Sequence, residues 1–318
     1  MSRRKNSYFG IGGQAVLEGV MMKNQDRYAV AVRKPNGVIA VELENHQGVL
    51  AGSKLRKVPF VRGIFNFVDS LVLGMKCLND SASYYEEEEE EAKNGRGEKL
   101  ATALVTVFSV ALAIGIFVIL PYWLSSLFKS FVRNDSLLAV IEGGIRILIF
   151  ILYVCAIRLM RDIRRLFCYH GAEHKCINCI ERGRPLTVKN VMRSSRLHKR
   201  CGTSFLFFVL FVSIVLFFFI RVDSVPLRVL LRILLLPVVA GISYEIIRLA
   251  GRSDHILVRI ISAPGMWIQR LTTKEPDRSM VEVAIAAVEA VFDWKKYLRE
   301  NFGYEEETPE AEGTREES

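Results

Sequence analysis

Apolar residues gather in four long runs along this chain, 100–120, 137–157, 203–220 and 225–249. Each is about the ~20 residues that an α-helix needs to cross the ~30 Å hydrocarbon core of a bilayer. The pattern predicts a mainly α polytopic membrane protein of about four transmembrane helices, the first two within 100–157 and the last two within 203–249. Pro121-Tyr122-Trp123 closes the first run with aromatics suited to a membrane boundary.

Outside the runs the periodicity changes. Residues 1–57 predict a β-containing cytoplasmic region: Tyr28 to Val32 and Val38 to Leu43 are rich in β-branched and small apolar residues, and Lys34-Pro35-Asn36-Gly37 between them signals a hairpin turn. Gly10-Ile11-Gly12-Gly13-Gln14 is not a G-x-G-x-x-G opening a helix, so its glycines predict turns and tight packing in a small sheet rather than a nucleotide site. Residues 58–78 are largely apolar but carry Arg62, Asp69 and Lys76, which predicts an interfacial amphipathic helix. An acidic linker follows over 79–99. Residues 250–300 predict cytoplasmic or interfacial helices, with two short pieces on either side of Ala263-Pro264-Gly265. An amphipathic helix from Ser279 to Leu298 then carries Val281, Ala284, Val288, Val291 and Phe292 at helical spacing. Residues 301–318 predict an acidic, disordered tail.

Charge orients this scheme. The 318 residues carry a formal net charge of +9, and 158–202 forms a basic loop, with twelve Lys and Arg against Asp162, Glu173 and Glu181 between Arg158 and Cys201. Under the positive-inside rule that loop is cytoplasmic, and both termini with it. Its charge is already expected from topology, so the lipid bilayer, and other membrane proteins docked on the basic surface, come before nucleic acid as partners; the oligomeric state stays open. Met1 to Lys5 is basic but runs into glycines rather than an apolar core, which predicts no cleaved signal peptide. Six scattered cysteines do not make the dense framework of a small secreted domain.

The same basic loop holds the candidate chemistry. His170-Gly171-Ala172-Glu173-His174 reads H-x-x-E-H, and on a helix the imidazoles at i and i+4 share a face with the carboxylate. Two such imidazoles can hold Zn²⁺ or another divalent metal, with Glu173 as the catalytic base; the inverted zincins use these letters in this order. His198, Cys201 and Glu245 are the candidates to complete the metal shell. Cys176-x-x-Cys179 with His198-x-x-Cys201 offers a competing closed structural site, and hydrogen-bonded histidines among ordinary buried cysteines offer a third reading.

Gly12-Gly13-Gln14-Ala15-Val16-Leu17-Glu18-Gly19-Val20-Met21-Met22, His170-Gly171-Ala172-Glu173-His174-Lys175 and His198-Lys199-Arg200-Cys201-Gly202-Thr203 together resemble the YqhQ-like family of bacterial membrane proteins. Further matching stretches lie at Glu275-Pro276-Asp277 and Val281 to Ala286, and Lys199 stands where the family's H-x-R-C-G motif has Pro. The resemblance implies a predicted metal-dependent enzyme of unassigned reaction in the bacterial plasma membrane. Three functions follow as expectations. A membrane-embedded metal-dependent hydrolase acting on membrane proteins or lipids leads. A non-catalytic assembly or biogenesis factor, with structural zinc and a basic docking surface, is the alternative. A transporter built on Glu142, Arg146, Arg228 and Arg232 is the third.

Overall fold

The computed structural model describes residues 10–48, 51–85, 96–220, 222, 224–252 and 255–305. The acidic run 86–91 and most of the tail expected over 301–318 lie outside them.

The N-terminal region is a four-stranded antiparallel meander, β1 (Ile11–Val16), β2 (Gly19–Asn24), β3 (Arg27–Arg33) and β4 (Ile39–Asn45), in that spatial order. The hairpin expected at 28–43 is β3–β4, with Arg33 opposite Ile39. Gly37, at φ +85°, donates its N–H to the Lys34 carbonyl at 2.9 Å. The sheet has two apolar faces. Ala15, Val20, Met22, Ala29 and Ala31 enter the main core, while Val16, Met21, Tyr28, Val30 and Val32 meet Leu73 and Cys77 of α1 (Val61–Ser83). Burial on both faces explains why β2 and β3 read as continuous apolar runs rather than as alternation.

The main core packs that sheet against α5 (Arg161–Glu181) and α11 (Arg278–Val291). Val281, Ala284 and Val288 are fully buried at helical spacing, and the Asp277 side chain caps α11 by accepting the Met280 N–H at 2.9 Å. The single helix expected over 279–298 is two: α11 ends at Val291 and α12 (Trp294–Phe302) starts afresh, because Asp293 accepts the Lys296 N–H as a new N-cap. The short α6 (Val188–Met192) closes the same core through Val191.

The apolar runs form the remaining helices. α2 (Arg96–Ile114) passes through a wide turn at Gly115–Ile119 into α3 (Leu120–Ser126), and α4 (Asp135–Ile157) follows. α7 is Gly202–Phe218, α8 Val225–Leu234, α9 Leu236–Arg252 and α10 Ile256–Thr272. Among the described residues, two helical stretches are long and apolar enough to cross a membrane, Leu104–Ser130 and Ser136–Ile157. α8 and α9 make a third if the pair, bent by 40° around Leu235, is one span. Two to three candidate spans thus replace the four expected. The run 225–249 is broken, and α7, at 17 residues and ~1.5 Å rise each, reaches only ~25 Å.

Two further expectations change. The break foreseen at Pro264 does not occur: α10 continues through it, packed so closely on α7 that a Cβ on Gly265 would stand 3.1 Å from Ser204. Tertiary packing there outweighs the missing N–H of proline. The helix foreseen over 58–78 extends to Ser83 as α1 and takes the first residues of the expected linker; it pairs its small residues with α9, Gly63 lying under Tyr244 and Gly241 under Phe60.

Candidate metal centre

α5 carries two stripes. Tyr169, Ala172, Cys176 and Ile180 face the apolar core, whereas His170, His174, Asn178 and Glu181 lie on the other side, as the helical period requires. The polar stripe looks onto the segment 193–201 and the C-terminal end of α10.

That surrounding is built by specific contacts. Lys175, almost wholly buried, donates to the Met192 and Ser194 carbonyls at 2.9 and 3.0 Å and pairs with Glu275 at 2.8 Å. Asn178 donates to the Ser195 carbonyl at 2.7 Å and to that of Leu197 at 3.1 Å. From α10, the fully buried Gln269 accepts the His198 N–H at 2.9 Å and donates to the His198 carbonyl at 2.7 Å and Ser204 Oγ at 2.6 Å. Held at both ends, the segment delivers Cys201 to the N-cap of α7, where its sulfur accepts the Thr203 N–H at 3.3 Å.

His170, His174 and Cys201 come together there, with ligand atoms all within 4.8 Å of one another, a group that could hold a metal ion. His174 is 1% and Cys201 5% exposed. Each imidazole has one nitrogen engaged by backbone: His170 Nδ1 lies 3.0 Å from the Thr272 carbonyl oxygen and His174 Nδ1 2.6 Å from that of Arg196. Because a carbonyl can only accept, each Nδ1 carries the hydrogen in the neutral ring, and the Nε2 lone pairs are left for a ligand. His170 Nε2 is 3.2 Å from Cys201 Sγ.

Around this wiring Cys201 and His170 pair as thiolate and imidazolium, and a metal on Nε2 would take the place of that proton. Burial pushes the Cys201 thiol up, but His170 and His174 together outweigh it and hold the group well below the ordinary thiol range. Burial pushes His170 down, and Cys201, Glu173 and the Thr272 carbonyl more than offset it, giving a rise to about 9. Burial raises Glu173 above the usual carboxylate range, against the nearby His174 and His170 and the N–H of Gly13. Glu173 adjoins the group without belonging to it.

The other sequence candidates have other partners, although the His198 ring centroid stands 5.8 Å from that of His174. His198 Nε2 lies 3.2 Å from Glu181 Oε2, and Arg200 pairs with the same carboxylate. Glu245 accepts Arg62 Nε at 2.6 Å and the Phe60 N–H at 3.3 Å, with Arg248 at 3.8 Å. Cys176 and Cys179 sit in the apolar core, Cys179 Sγ turned toward the Arg184 and Pro185 carbonyls. The structure therefore does not assemble Cys176, Cys179, His198 and Cys201 into one site. Sequence reasoning missed Gln269, Thr272 and Lys175; a polar Gln269 amid the apolar residues of 256–271 was the legible trace of the first.

These features define a mainly helical protein with two to three apolar helices of membrane-crossing length and a buried two-histidine, one-cysteine group beside a carboxylate. The chain belongs to the family described as "Protein of unknown function (DUF1385)", whose model matches residues 58–294. It is similar to "Uncharacterized protein YqhQ" of Bacillus subtilis (strain 168), 36% identical over 284 residues that cover 86% of this chain and 89% of that protein. No solved structure matches.

Proposed function

We propose that this protein is a membrane-embedded, metal-dependent hydrolase, with zinc held by His170, His174 and Cys201 and with Glu173 as the base. The observation that carries the reading is the pair of backbone carbonyls, of Thr272 and Arg196, on the two Nδ1 atoms. Hydrogen bonds that fix both imidazoles in the tautomer able to ligate, beside a cysteine already biased to thiolate, are what metal-ligating histidines need. Three protein donors leave one of four positions of a tetrahedral ion for water or substrate. A zinc ion would supply Lewis acidity there, making a water acidic near neutral pH. Glu173, outside the donor group and steadied by Gly13, would accept that proton at its carboxylate and return it to the leaving group.

The group stands at the start of α7, where the basic segment meets an apolar helix, so the bond attacked would lie near a membrane surface: a peptide bond of a membrane protein or a lipid ester. The excess of Lys and Arg around it supports a multi-pass arrangement in the bacterial plasma membrane with this face and both termini cytoplasmic. One observation favours a second reading. The near-complete burial of His174 and Cys201 suits a structural ion that fastens the basic segment of a membrane-protein assembly factor.

Elemental analysis of the purified protein tests both. Near-stoichiometric zinc, lost in His174→Ala and kept in Glu173→Gln and Cys179→Ser, is the expected result. Zinc retained in His174→Ala, or lost in Cys179→Ser, would overturn the assignment of donors. Hydrolysis of lipid-ester and membrane-peptide reporters, present in wild type and absent in zinc-replete Glu173→Gln, separates catalysis from fastening.

A further inference from the structure

Far from the metal group, at the opposite end of α7, three charged side chains are buried together. Glu142 of α4 accepts Arg146 Nη2 at 2.7 Å, and Arg232 of α8 reaches the same carboxylate at 2.6 and 3.0 Å. Arg146 is 4% and Arg232 5% exposed. Both guanidiniums lie over the Phe217 ring, at 5.3 and 5.0 Å from its centroid. Counting fifteen residues of helix from Gly202 to Phe217 at ~1.5 Å each, the cluster is ~22 Å from the start of α7.

The charges do not balance. Among the described residues two guanidiniums share one carboxylate, so a positive charge remains where burial of an unpaired charge is costly. The hydrogen bonds do not balance either: the Nε–H of Arg146 and that of Arg232 are both buried and meet no acceptor among the described residues. One turn nearer the start of α8, the partly buried Arg228 stacks on Tyr122, its guanidinium 4.8 Å from the ring centroid, and donates to the Val222 carbonyl at 2.9 Å. A third guanidinium therefore lies one helical turn from the cluster.

We infer that Arg146 and Arg232 form a binding site for a phosphate monoanion, from a phospholipid headgroup or from free phosphate. Glu142 holds the two forks in register, and the orphaned donors supply the contacts. Arginine suits this task because its planar fork matches tetrahedral oxyanions, and a single negative charge is what neutralises the site. The cluster lies where α7 ends, with Glu142 and Arg232 each about two turns from the starts of α4 and α8 and Arg146 one turn further along α4.

The experiment measures thermal stability of the full-length protein in a phosphate-free maltoside detergent, with and without added phosphatidylglycerol, and separately with millimolar inorganic phosphate. Wild type is expected to be stabilised by at least one of these. A response to phosphatidylglycerol alone identifies the lipid source, and a response to inorganic phosphate identifies the free ion. In Arg232→Lys, which keeps the charge and loses the fork, binding should weaken roughly tenfold. In Glu142→Gln, which keeps an acceptor between the two forks and removes the negative charge that offsets them, it should tighten several-fold. No wild-type response to either probe would overturn the inference without reference to any variant. A lipid response unchanged in both variants would assign it to the basic segment 158–202 and overturn it equally.

Discussion

The N–H of Gly13, on β1, donates to the carboxylate of Glu173, on α5, so the glycine-rich motif of the sheet and the H-x-x-E-H motif form one contact. This explains why the sheet carries glycine there. A Cβ on Gly13 would stand 2.6 Å from the Met21 carbonyl oxygen, 2.7 Å from Met22 Sδ and 3.0 Å from Glu173 Cγ. Glu173 can approach β1 only because that space is empty.

Gly13→Ala should therefore act on both the sheet and the base. The Met21 carbonyl belongs to the β1–β2 ladder and cannot withdraw freely, so a stability loss of ~1–3 kcal/mol is expected. Zinc content should persist, since no donor is touched, while hydrolysis of the reporter substrates falls. Differential scanning fluorimetry beside elemental analysis checks this, and unchanged stability with unchanged activity would sink it.

Gly171 has a different neighbour. A Cβ there would collide with the Lys274 carbonyl oxygen, because the chain leaving α10 crosses α5 at this glycine, fixed by the Lys274 N–H to the Phe167 carbonyl at 2.8 Å. The crossing brings the Thr272 carbonyl onto His170 Nδ1. Gly171→Ala should push residues 272–276 away, release that tautomer and lower zinc affinity ~10–100-fold, the usual cost of losing such a supporting hydrogen bond. Competition with a chelator would measure it. Affinity equal to wild type would show that Thr272 does not orient His170.

The reach of sequence reading follows from these contacts. His170, Glu173 and His174 were legible because their spacing is local and the helix alone places them. Cys201 was legible as a candidate, but choosing it over His198 depends on the path of 193–201, which Lys175, Asn178 and Gln269 impose from elsewhere in the chain. Glu245 was expected within reach of the site from counting membrane crossings. Hydropathy registers neither the bend at Leu235 nor the bidentate capture of Glu245 by Arg62 of α1. The hairpin at 28–43 was legible because turn chemistry and the β-branched composition of its flanks agree, whereas Pro264 misled because its cost is met by packing on α7.

Gln269 is the test of that imposed path. Replacing it with Leu would strand the His198 N–H and carbonyl inside the protein, for an expected loss of ~2–4 kcal/mol. Gln269→Glu keeps the acceptor and loses the donor, so it should fall between wild type and Leu. Zinc affinity should follow the same order, because Cys201 lies three residues beyond His198. Denaturant titration and chelator competition on the three proteins would check it; a destabilised Leu variant with wild-type affinity would separate the clamp from the metal group.

The pH dependence of the sheet offers a check away from the metal. Glu44 on β4 accepts from Lys76 of α1 and from Tyr28 of β3, and Lys76 Nζ also reaches Tyr28 Oη at 2.9 Å. The hydrogen bond from Lys76, then that from Tyr28, holds the Glu44 carboxyl below its ordinary range. The native state thus binds this proton more weakly than the unfolded chain does. The contribution is complete above the unfolded value of about 4.3 and disappears as pH falls through the lower native value. Lys76 and Glu44 are both nearly half exposed, so at neutral pH Glu44→Gln should cost only ~0.2–1 kcal/mol. The gap between the two proteins should close on acidification and shrink in high salt. A gap that stayed constant from neutral to acid pH would mean that Glu44 stabilises the β4 edge by packing rather than by charge.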